Sequence, residues 1–471
     1  MEIVGDVVSV IGYAWCMESM AFDGKRAVVM GLGRFGGGVG AARWLTSQGA
    51  DVLVTDMLVE EELTDSLVQL ADVAVRYRLG GHDESDFESA DVVVVNPAVP
   101  RDGNHYVQAA RRGGAVVTSE IELLLERLPN PVKVIGVTGT HGKSTVCAML
   151  GRVLSLQGKC WVGGNIGGSL LGDLENIGAD DWVVLELSSF MLAGIAERAV
   201  DDRLAGWIGV GAVTSFSANH LDWHKNEREY REAKAELLEM IMDGGVAVFG
   251  PGMQAAGFAV GDGVRLVEVG HDDGDDLSMK LAGRFNRENG AMVRAICGAA
   301  GGWDEERSKH EIEAFEGLPH RMQFVGRWMV NDVEVYGHND SKCTTVVGAV
   351  SAMRCFDPAA ERLHVILGGY DKGDDYVGLG TEAAKLCHRV YVIGDVSERI
   401  AKGVSEAGGA VVLCDDLPTA VREVYAHVQR DGAGKNVAVL LSPGCASWDQ
   451  FNHYEERGEV FMREMRAVCG G

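Results

Sequence analysis

Short apolar runs rich in valine and isoleucine alternate with helical stretches along most of the chain. This alternation is typical of parallel sheets covered by helices, so we predict an α/β fold. A first unit is predicted from strands at 26–30, 51–55 and 91–95, a helix near 40–48 and a closing helix at 120–127. Its first strand runs through a glycine-rich turn into its first helix, which is typical of a Rossmann-like domain.

Two further units repeat the alternation. The second opens with a strand at 132–137 that runs into a glycine-rich loop and a helix, and strands at 182–187 and 204–214 follow. An acidic helix at 304–316 and turn residues at 317–321 mark its end. Strands of the third unit, in doubly wound order, are expected at 363–367, 389–393, 411–414 and 437–441. We therefore predict three domains, at 1–118, 119–318 and 319–471.

Charge and cysteine content limit the expected partners and cellular compartment of the protein. With a net charge of -26 and a pI near 4.9, the 471-residue chain repels phosphate backbones and anionic membranes, so neither nucleic acid nor a membrane is an expected partner. Ten cysteines without a C-x-x-C pair indicate reduced thiols and a cytoplasmic protein. The first 21 residues contain three acidic side chains and resemble neither a signal peptide nor a membrane span. Translation is expected to begin at Met1, Met17 or Met20.

The run Thr138-Gly-Thr-His-Gly-Lys-Ser-Thr145 follows an apolar strand and opens a helix, as a phosphate-binding loop does. Main-chain N–H groups and the helix N-terminus would bind phosphate oxygens. Lys143 would reach the outer phosphates, and a hydroxyl of Ser144 or Thr145 would bind magnesium. The spacing departs from G-x-x-x-x-G-K-[ST], because Val137 stands five positions before Gly142. The alternative is an ordinary glycine-rich turn.

The turn Gly31-x-Gly33-x-x-Gly36 also follows a strand, and Asp56 ends the next one. This pattern fits a dinucleotide or another diphosphate on a helix N-terminus, and equally a closely packed helix and strand. Glu186 ends a strand that is otherwise apolar, at the edge where open sheets bind ligands, so it is a candidate magnesium ligand or an exposed strand end. His220 is a candidate second metal ligand or a structural histidine.

Together these features resemble the Mur ligase family over nearly the whole chain. Beyond the loop at 136–145, seven segments carry the resemblance in order: 163–167, 186–192, 219–222, 230–234, 317–321, 339–344 and 441–451. The resemblance implies an N-terminal Rossmann-like domain that binds a uridine diphosphate, a central P-loop ATPase with a mainly parallel sheet, and a C-terminal Rossmann-like domain. The segment at 442–451 points to the members that add D-glutamate to UDP-N-acetylmuramoyl-L-alanine.

The resemblance also implies residue roles. Two Mg²⁺ ions would be held by Ser144, Glu186, His220 and a carbamylated Lys234, and the catalytic residues would be Lys143, Glu186, His220 and Lys234. ATP would contact Gly139, Thr140, His141, Gly142, Lys143, Ser144, Thr145, Asn286, Asn289, Arg321, Asp340 and Lys342. The UDP substrate would contact Gly31, Gly33, Arg34, Phe35, Gly36, Asp56, Asn96, Pro97 and Asn165. D-glutamate would contact Thr344, Lys372, Ser447, Trp448 and Tyr454.

The implied reaction is ATP-dependent amide formation through an acyl phosphate in peptidoglycan precursor synthesis, by an enzyme expected to be a monomer with small-molecule substrates. His141 stands where the family usually has asparagine, Asn219 replaces a commoner acidic residue, and the loop 368–372 has one inserted residue. Trp448 and Tyr454 also depart from the family pattern. Two alternatives are a folate polyglutamate ligase, which lacks the N-terminal unit, and a nicotinamide-dependent dehydrogenase built on the first glycine turn.

Overall fold

A computed structural model describes residues 22–33, 36–197, 206–217, 223–281, 283–301, 304–356, 359, 361–431 and 434–470. The three candidate translation starts lie outside these residues. Contacts divide the chain into two compact units: the first comprises Met1–Pro129, Gly163–Ala179 and Ser189–Arg203, and the second comprises Asn130–Val162, Asp180–Ser188 and Leu204–Gly471. No helix in the described part of the chain has both the length and the apolar character needed to cross a bilayer.

The first unit is built on a five-stranded parallel sheet in the order β3-β2-β1-β4-β5. Its strands are β1 (Arg26–Met30), β2 (Asp51–Asp56), β3 (Arg76–Leu79), β4 (Val92–Val95) and β5 (Val116–Thr118). Its helices are α1 (Gly37–Ser47), α2 (Thr64–Val68), α3 (Glu84–Glu88), α4 (His105–Arg112) and α5 (Glu120–Leu125). The strands predicted at 26–30, 51–55 and 91–95 are confirmed as β1, β2 and β4. The apolar pattern did not predict β3, because three of its four residues are exposed at the sheet edge.

The central sheet has the order β11-β10-β9-β6-β8-β7, and the helix after its strand β6 begins at the predicted glycine loop. Its strands are β6 (Val134–Thr138), β7 (Cys160–Gly164), β8 (Trp182–Glu186), β9 (Ile208–Val213), β10 (Ile241–Phe249) and β11 (Arg265–Glu268). The helices of this stretch of chain are α6 (Lys143–Leu154), α7 (Ser189–Ala196), α8 (Glu227–Glu239), α9 (Arg284–Ala300) and α10 (Glu305–Glu313).

The third sheet has the order β12-β13-β17-β14-β15-β16, and only its β12–β13 pair is antiparallel. Its strands are β12 (Gln323–Val330), β13 (Val333–Asn339), β14 (Glu361–Gly368), β15 (Arg389–Ile393), β16 (Val411–Leu413) and β17 (Asn436–Leu441). Its helices are α11 (Val346–Met353), α12 (Tyr376–Leu386), α13 (Ser397–Glu406), α14 (Leu417–Asp431) and α15 (Tyr454–Cys469). The predicted α/β fold of three domains with mainly parallel sheets is confirmed.

Apolar residues cover both faces of the third sheet, which explains its continuous apolar strands. Along β17, Val437, Val439 and Leu441 belong to one core cluster, while Ala438 and Leu440 belong to the cluster on the opposite face. Side chains alternate between the faces of a strand, so a sheet covered by helices on both sides needs apolar residues at every position. These cores hold the strand ends, and the loops that follow them, in fixed positions.

Candidate active site

The loop between β6 and α6 takes backbone conformations that suit glycine alone. Gly139 has a φ of 142° and Gly142 a φ of 84°, both in the region that side chains disfavour. A Cβ atom at Gly139 would collide with the Thr214 hydroxyl, and one at Gly142 with the Asn289 side chain. In the described structure no side chain caps the first turn of α6. The N–H groups of that turn, which have no partner within the helix, can therefore bind an anion.

Hydroxyl groups just after β9 hold this loop. The Thr214 hydroxyl donates to the His141 carbonyl oxygen at 2.5 Å, and the Ser215 hydroxyl accepts the His141 N–H at 2.9 Å. The Ser215 carbonyl oxygen accepts the Thr140 N–H at 2.8 Å, and the Thr140 and Tyr230 hydroxyls lie 3.2 Å apart. Position 141 is thus fixed through its main chain, while its side chain is exposed. Histidine can replace asparagine there without loss of these bonds.

Two lysines contact the carbonyl oxygens of the loop. Lys143 Nζ donates to Gly139 O at 3.0 Å and to Thr140 O at 3.1 Å, and Lys234 Nζ donates to Gly139 O at 2.7 Å. Lys234 is 1% exposed, and burial, reinforced by the charge of Lys143, lowers its pKa to about 6. The Lys234 amine is therefore mostly neutral at pH 7. Burial also lowers the pKa of Lys143, while the charge of Glu186 opposes that shift.

Glu186 lies at the same end of the central sheet as the loop, where its parallel strands terminate. It is the last residue of β8, it pairs in parallel register with Val137 of β6, and it is 1% exposed. The chain beyond it is fixed to β6, since Leu187 N–H donates to Val137 O at 2.9 Å. Ser144, in the first turn of α6, is half-buried. Within the described ranges no group of three or more His, Cys, Asp or Glu side chains is arranged to hold a metal ion.

Helix α9 brings two buried amides to the loop. Asn286 is 2% exposed and Asn289 is 6% exposed, and Asn289 Nδ2 donates to Asn286 Oδ1 at 3.5 Å. The Asn289 carboxamide flanks Gly142, as the space around that glycine shows. The structure thus places Asn289 beside the predicted phosphate loop. Contact of either amide with adenine stays a prediction.

Asp340 follows β13 and is held by two hydrogen bonds. Ser442 Oγ donates to Asp340 Oδ2 at 2.8 Å, and the Met322 N–H donates to Asp340 Oδ1 at 3.2 Å. Burial raises the pKa of Asp340 to about 6, which these bonds and the charge of Arg321 partly offset. The charge of Arg321 also lowers the pKa of both Lys143 and Lys342, in each case after the larger effect of burial. The charge of Arg321 therefore acts on both lysines within the second unit.

Arg457, on α15, joins the loops that follow β13 and β17. Its side chain is 1% exposed. Nε donates to Ser341 Oγ at 3.0 Å, and Nη2 donates to Ser341 O at 2.9 Å. Cys445 O and Ala446 O accept from Nη2 and Nη1, each at 3.1 Å. Burial lowers the pKa of Arg457 to about 10, so it keeps its charge at neutral pH.

The predicted acceptor residues lie on these joined loops or next to them. Gly444 N–H donates to Cys343 O at 3.1 Å, which connects the chain around Thr344 with the chain around Ser447. Ser447 is 2% exposed, and Thr344 is half-buried. The Lys342 ammonium lies 5.4 Å from the centre of the Tyr454 ring.

In the first unit, the glycine turn before α1 is shaped by two side chains. Asn96 Nδ2 donates to Gly31 O at 3.1 Å, and a Cβ atom at Gly31 or Gly33 would collide with Asn96. Asp56 Oδ2 accepts the N–H of Leu32 at 2.8 Å and of Gly33 at 3.2 Å. Asp56 thus fixes the turn. Two further predicted contacts, Pro97 and Asn165, are half-buried and exposed respectively, whereas Arg34, Phe35 and His220 lie outside the described residues.

Three family descriptions match the chain in the order of its sheets. Residues 25–118 match "Mur ligase MurD-like, N-terminal domain", 137–278 match "Mur ligase middle domain", and 320–445 match "Mur ligase, glutamate ligase domain". A protein of Geobacter metallireducens named UDP-N-acetylmuramoylalanine--D-glutamate ligase is 33% identical over 96% of this chain and 99% of its own. A protein of the same name from Anaeromyxobacter dehalogenans is 34% identical over 95% and 98%. The chain belongs to the Mur ligase family.

Solved Mur ligases share the fold. UDP-N-acetylmuramate-alanine ligase MurC from Thermotoga maritima has a TM-score of 0.53 at 18% identity over 94% of this chain and 99% of its own. MurF ligase from the same organism, in complex with ADP, has a TM-score of 0.51 at 14% identity over 94% and 98%. The match over 25–118 covers the unit that a folate polyglutamate ligase lacks. Family membership also excludes the dehydrogenase interpretation.

Sequence reasoning missed several residues that shape this Mur ligase's site. Thr214 and Ser215 hold the phosphate loop, and Arg457 joins the two loops of the third domain. Their partners are distant in sequence, so spacing gives no signal for them. One sign was available: two hydroxyl residues directly follow the apolar strand β9, at the end of the sheet where the loop at 139–142 lies.

We predict that Gly142→Ala raises KM for ATP at least about tenfold, because the new Cβ collides with Asn289 beside the loop. Gly252→Ala is the matched control, since Gly252 has a φ of 78° and no heavy atom lies within 4 Å of an added Cβ. Both variants carry a similar backbone strain, about 1–2 kcal/mol, because alanine disfavours the left-handed region. Steady-state kinetics with both variants checks this, and an unchanged KM in Gly142→Ala would contradict the collision.

We predict that Arg457→Met lowers the free energy of unfolding by about 3 kcal/mol, because its carbonyl partners lose a buried charged donor. Arg463→Met on the same helix is the control, since the Arg463 side chain is 66% exposed, and it should change stability by less than about 0.5 kcal/mol. Urea unfolding of both variants gives the comparison. Equal losses of unfolding free energy in the two variants would contradict a stabilising role of the buried bonds.

Proposed function

We propose that this chain adds D-glutamate to UDP-N-acetylmuramoyl-L-alanine with hydrolysis of ATP to ADP and phosphate, in peptidoglycan precursor synthesis. The observation that carries the proposal is the anchored loop at 139–142, with the uncapped helix α6 and two lysines beside it. The names of the full-length relatives support the choice of substrates. The nine cysteines of the described chain are free thiols, which suits the cytoplasm, and we expect a monomer.

The first step is phosphoryl transfer. N–H groups at the start of α6 would bind the ATP phosphates, and Lys143 would leave Gly139 and Thr140 to offset the charge that builds up on the transferred group. An oxygen of the alanine carboxylate attacks the γ-phosphorus, and the bond from that phosphorus to the β,γ-bridging oxygen breaks. ADP leaves, and the carboxylate becomes an acyl phosphate.

The second step forms the amide. The neutral amine of D-glutamate attacks the acyl carbon, and its nitrogen loses one proton to solvent. The tetrahedral intermediate then expels phosphate together with the former carboxylate oxygen. We propose that Thr344, Lys372, Ser447 and Tyr454 orient the acceptor for this attack. Such positioning contributes much of the rate acceleration in a two-substrate reaction. Asn286 and Asn289 would contact adenine, and Arg321, Asp340 and Lys342 would contact the rest of the nucleotide.

The donor set next to the loop suits Mg²⁺. The Ser144 hydroxyl and the buried Glu186 carboxylate supply the oxygen ligands that this ion prefers, and a carbamate on Lys234 would supply another. Bound there, two Mg²⁺ ions would neutralise negative charge on the phosphates. The mostly neutral Lys234 amine can form a carbamate, because its nitrogen adds to CO₂ and releases one proton.

In the first unit, we propose that the turn from Gly31 to Gly36 binds the diphosphate of the UDP substrate. Gly36 adopts a left-handed conformation before α1, and no side chain caps that helix in the described structure. The turn therefore has the uncapped N-terminus that suits a diphosphate. Asn96 and Asp56 fix its shape, while Arg34, Phe35, Pro97 and Asn165 would add direct contacts.

We predict that phosphate release from ATP and UDP-N-acetylmuramoyl-L-alanine depends on D-glutamate, and that L-glutamate, glycine and diaminopimelate give at most about a hundredth of that rate. Lys143→Ala should lower the rate about a thousandfold or more, because the transferred phosphoryl group loses a half-buried cation. Lys159→Ala, on an exposed lysine, is the control and should keep wild-type turnover. Release that is independent of D-glutamate would refute the acceptor assignment.

We predict that Lys234→Ala loses activity about a hundredfold or more and that short carboxylic acids such as formate or acetate restore part of it. The added carboxylate would fill the space of the missing side chain and replace the carbamate charge. Lys143→Ala serves as the comparison and should not respond to these acids. A fully active Lys234→Ala enzyme would remove the proposed role of the lysine.

A further inference from the structure

Two aromatic rings lie exposed beside the proposed acceptor site. Trp448 is 59% exposed and Tyr370 is 39% exposed, with their ring centroids 5.6 Å apart and the rings inclined at 61°. Adjacent exposed aromatic side chains are unfavourable in water and often mark a binding surface. Trp448 directly follows Ser447, which the proposed function assigns to D-glutamate.

A main-chain contact brings together the two segments that carry these rings. Tyr370 N–H donates to Ala446 O at 3.0 Å, and the two residues form an isolated antiparallel bridge. Gly369 permits this close approach, because it has a φ of 148° and an added Cβ would collide with Ala446 O. The bridge brings the loop after β14 against the loop after β17. The Tyr370–Trp448 pair therefore depends on a main-chain contact between two loops of the third domain.

Lys372 lies over the Trp448 ring of this pair. Its ammonium is 5.3 Å from the centre of the Trp448 ring, within the range of a cation–π interaction. The Lys372 N–H donates to the buried Tyr376 hydroxyl at 3.0 Å, which anchors the main chain below the ammonium.

The ammonium itself remains available to an anion. The neighbouring Asp371 pairs with Arg399 at 2.5 Å, and no other carboxylate in the described residues pairs with the Lys372 ammonium. The position of this ammonium over an aromatic face fixes its direction without neutralising it, so an anionic ligand keeps the full benefit of the charge.

We propose that Trp448 and Tyr370 form an aromatic platform that positions the Lys372 ammonium for one carboxylate of the acceptor amino acid. Trp448 and Tyr370 act as positioning residues, and Lys372 makes the contact with the anion. The inference rests on the proposed function, because it takes the acceptor to be a dicarboxylic amino acid. It adds that affinity for the acceptor depends on the aromatic character of position 448.

A double-mutant cycle tests the platform, with Trp448→Leu, Lys372→Met and the double variant assayed in the full-length enzyme. We expect Trp448→Leu to raise KM for D-glutamate about fivefold, with kcat and KM for ATP within about twofold of wild type. The KM of Trp448→Phe for D-glutamate should lie between the values of the wild type and of Trp448→Leu. In the Lys372→Met background, Trp448→Leu should change KM for D-glutamate by less than about twofold, since the cation is gone. Met329→Ala, at another exposed apolar side chain, is the control for unspecific effects.

Equal effects of Trp448→Leu in both backgrounds would overturn the platform, as would no effect in the wild-type background. Failure of the proposed function looks different, because wild-type enzyme would then release no D-glutamate-dependent phosphate. The geometry can be tested without turnover. After reductive ¹³C-methylation, the Lys372 resonance, identified by its loss in Lys372→Arg, should be shifted upfield by the indole ring current and should lose that shift in Trp448→Leu. An unshifted wild-type resonance would also overturn the platform.

Discussion

The rest of the site depends on the bonds that hold the loop at 139–142. Hydroxyl groups of Thr214 and Ser215 bind the main chain of His141, and the two lysines bind the carbonyl oxygens of Gly139 and Thr140. These bonds use carbonyl oxygens of the loop and the N–H groups of Thr140 and His141, so the N–H groups at the start of α6 remain for a ligand. The tight turn leaves no space for side chains, which explains both glycines. The proposed phosphate binding would then rest on main-chain geometry and a few cations, in a chain that is acidic as a whole.

Burial tunes charged groups beside this loop and in the third domain. Lys234 has its pKa lowered to about 6, and Asp340 has its pKa raised to about 6, in both cases mainly because burial disfavours the charged form. Arg457 stays charged while buried, since four carbonyl and hydroxyl contacts from two loops stabilise it. The same residue thereby determines how the loops carrying Lys342 and Ser447 meet. In the third domain the same buried charge therefore stabilises the geometry of both loops.

Much of the fold could be predicted from the sequence, because strands covered by helices on both sides need apolar residues at every position. The strands predicted at 132–137 and 437–441 correspond for this reason to β6 (Val134–Thr138) and β17 (Asn436–Leu441), although residues 132 and 133 belong to a short 3-10 helix before β6. Strand β3 and the hairpin β12–β13 escaped prediction because edge and solvent-facing positions break the apolar run. In the site, the loop and Glu186 could be located because each ends a strand. The partnerships of Thr214, Asp56 and Arg457 could not, since each joins segments that only the tertiary structure brings together.

The most direct test of the ligase mechanism follows an oxygen atom. UDP-N-acetylmuramoyl-L-alanine labelled with ¹⁸O in both carboxylate oxygens would be converted with ATP and D-glutamate, and the released phosphate analysed by mass spectrometry. If the carboxylate attacks ATP to form an acyl phosphate, one ¹⁸O atom appears in each phosphate and the other stays in the amide carbonyl. Phosphate without the label would contradict activation of the carboxylate by ATP at this site.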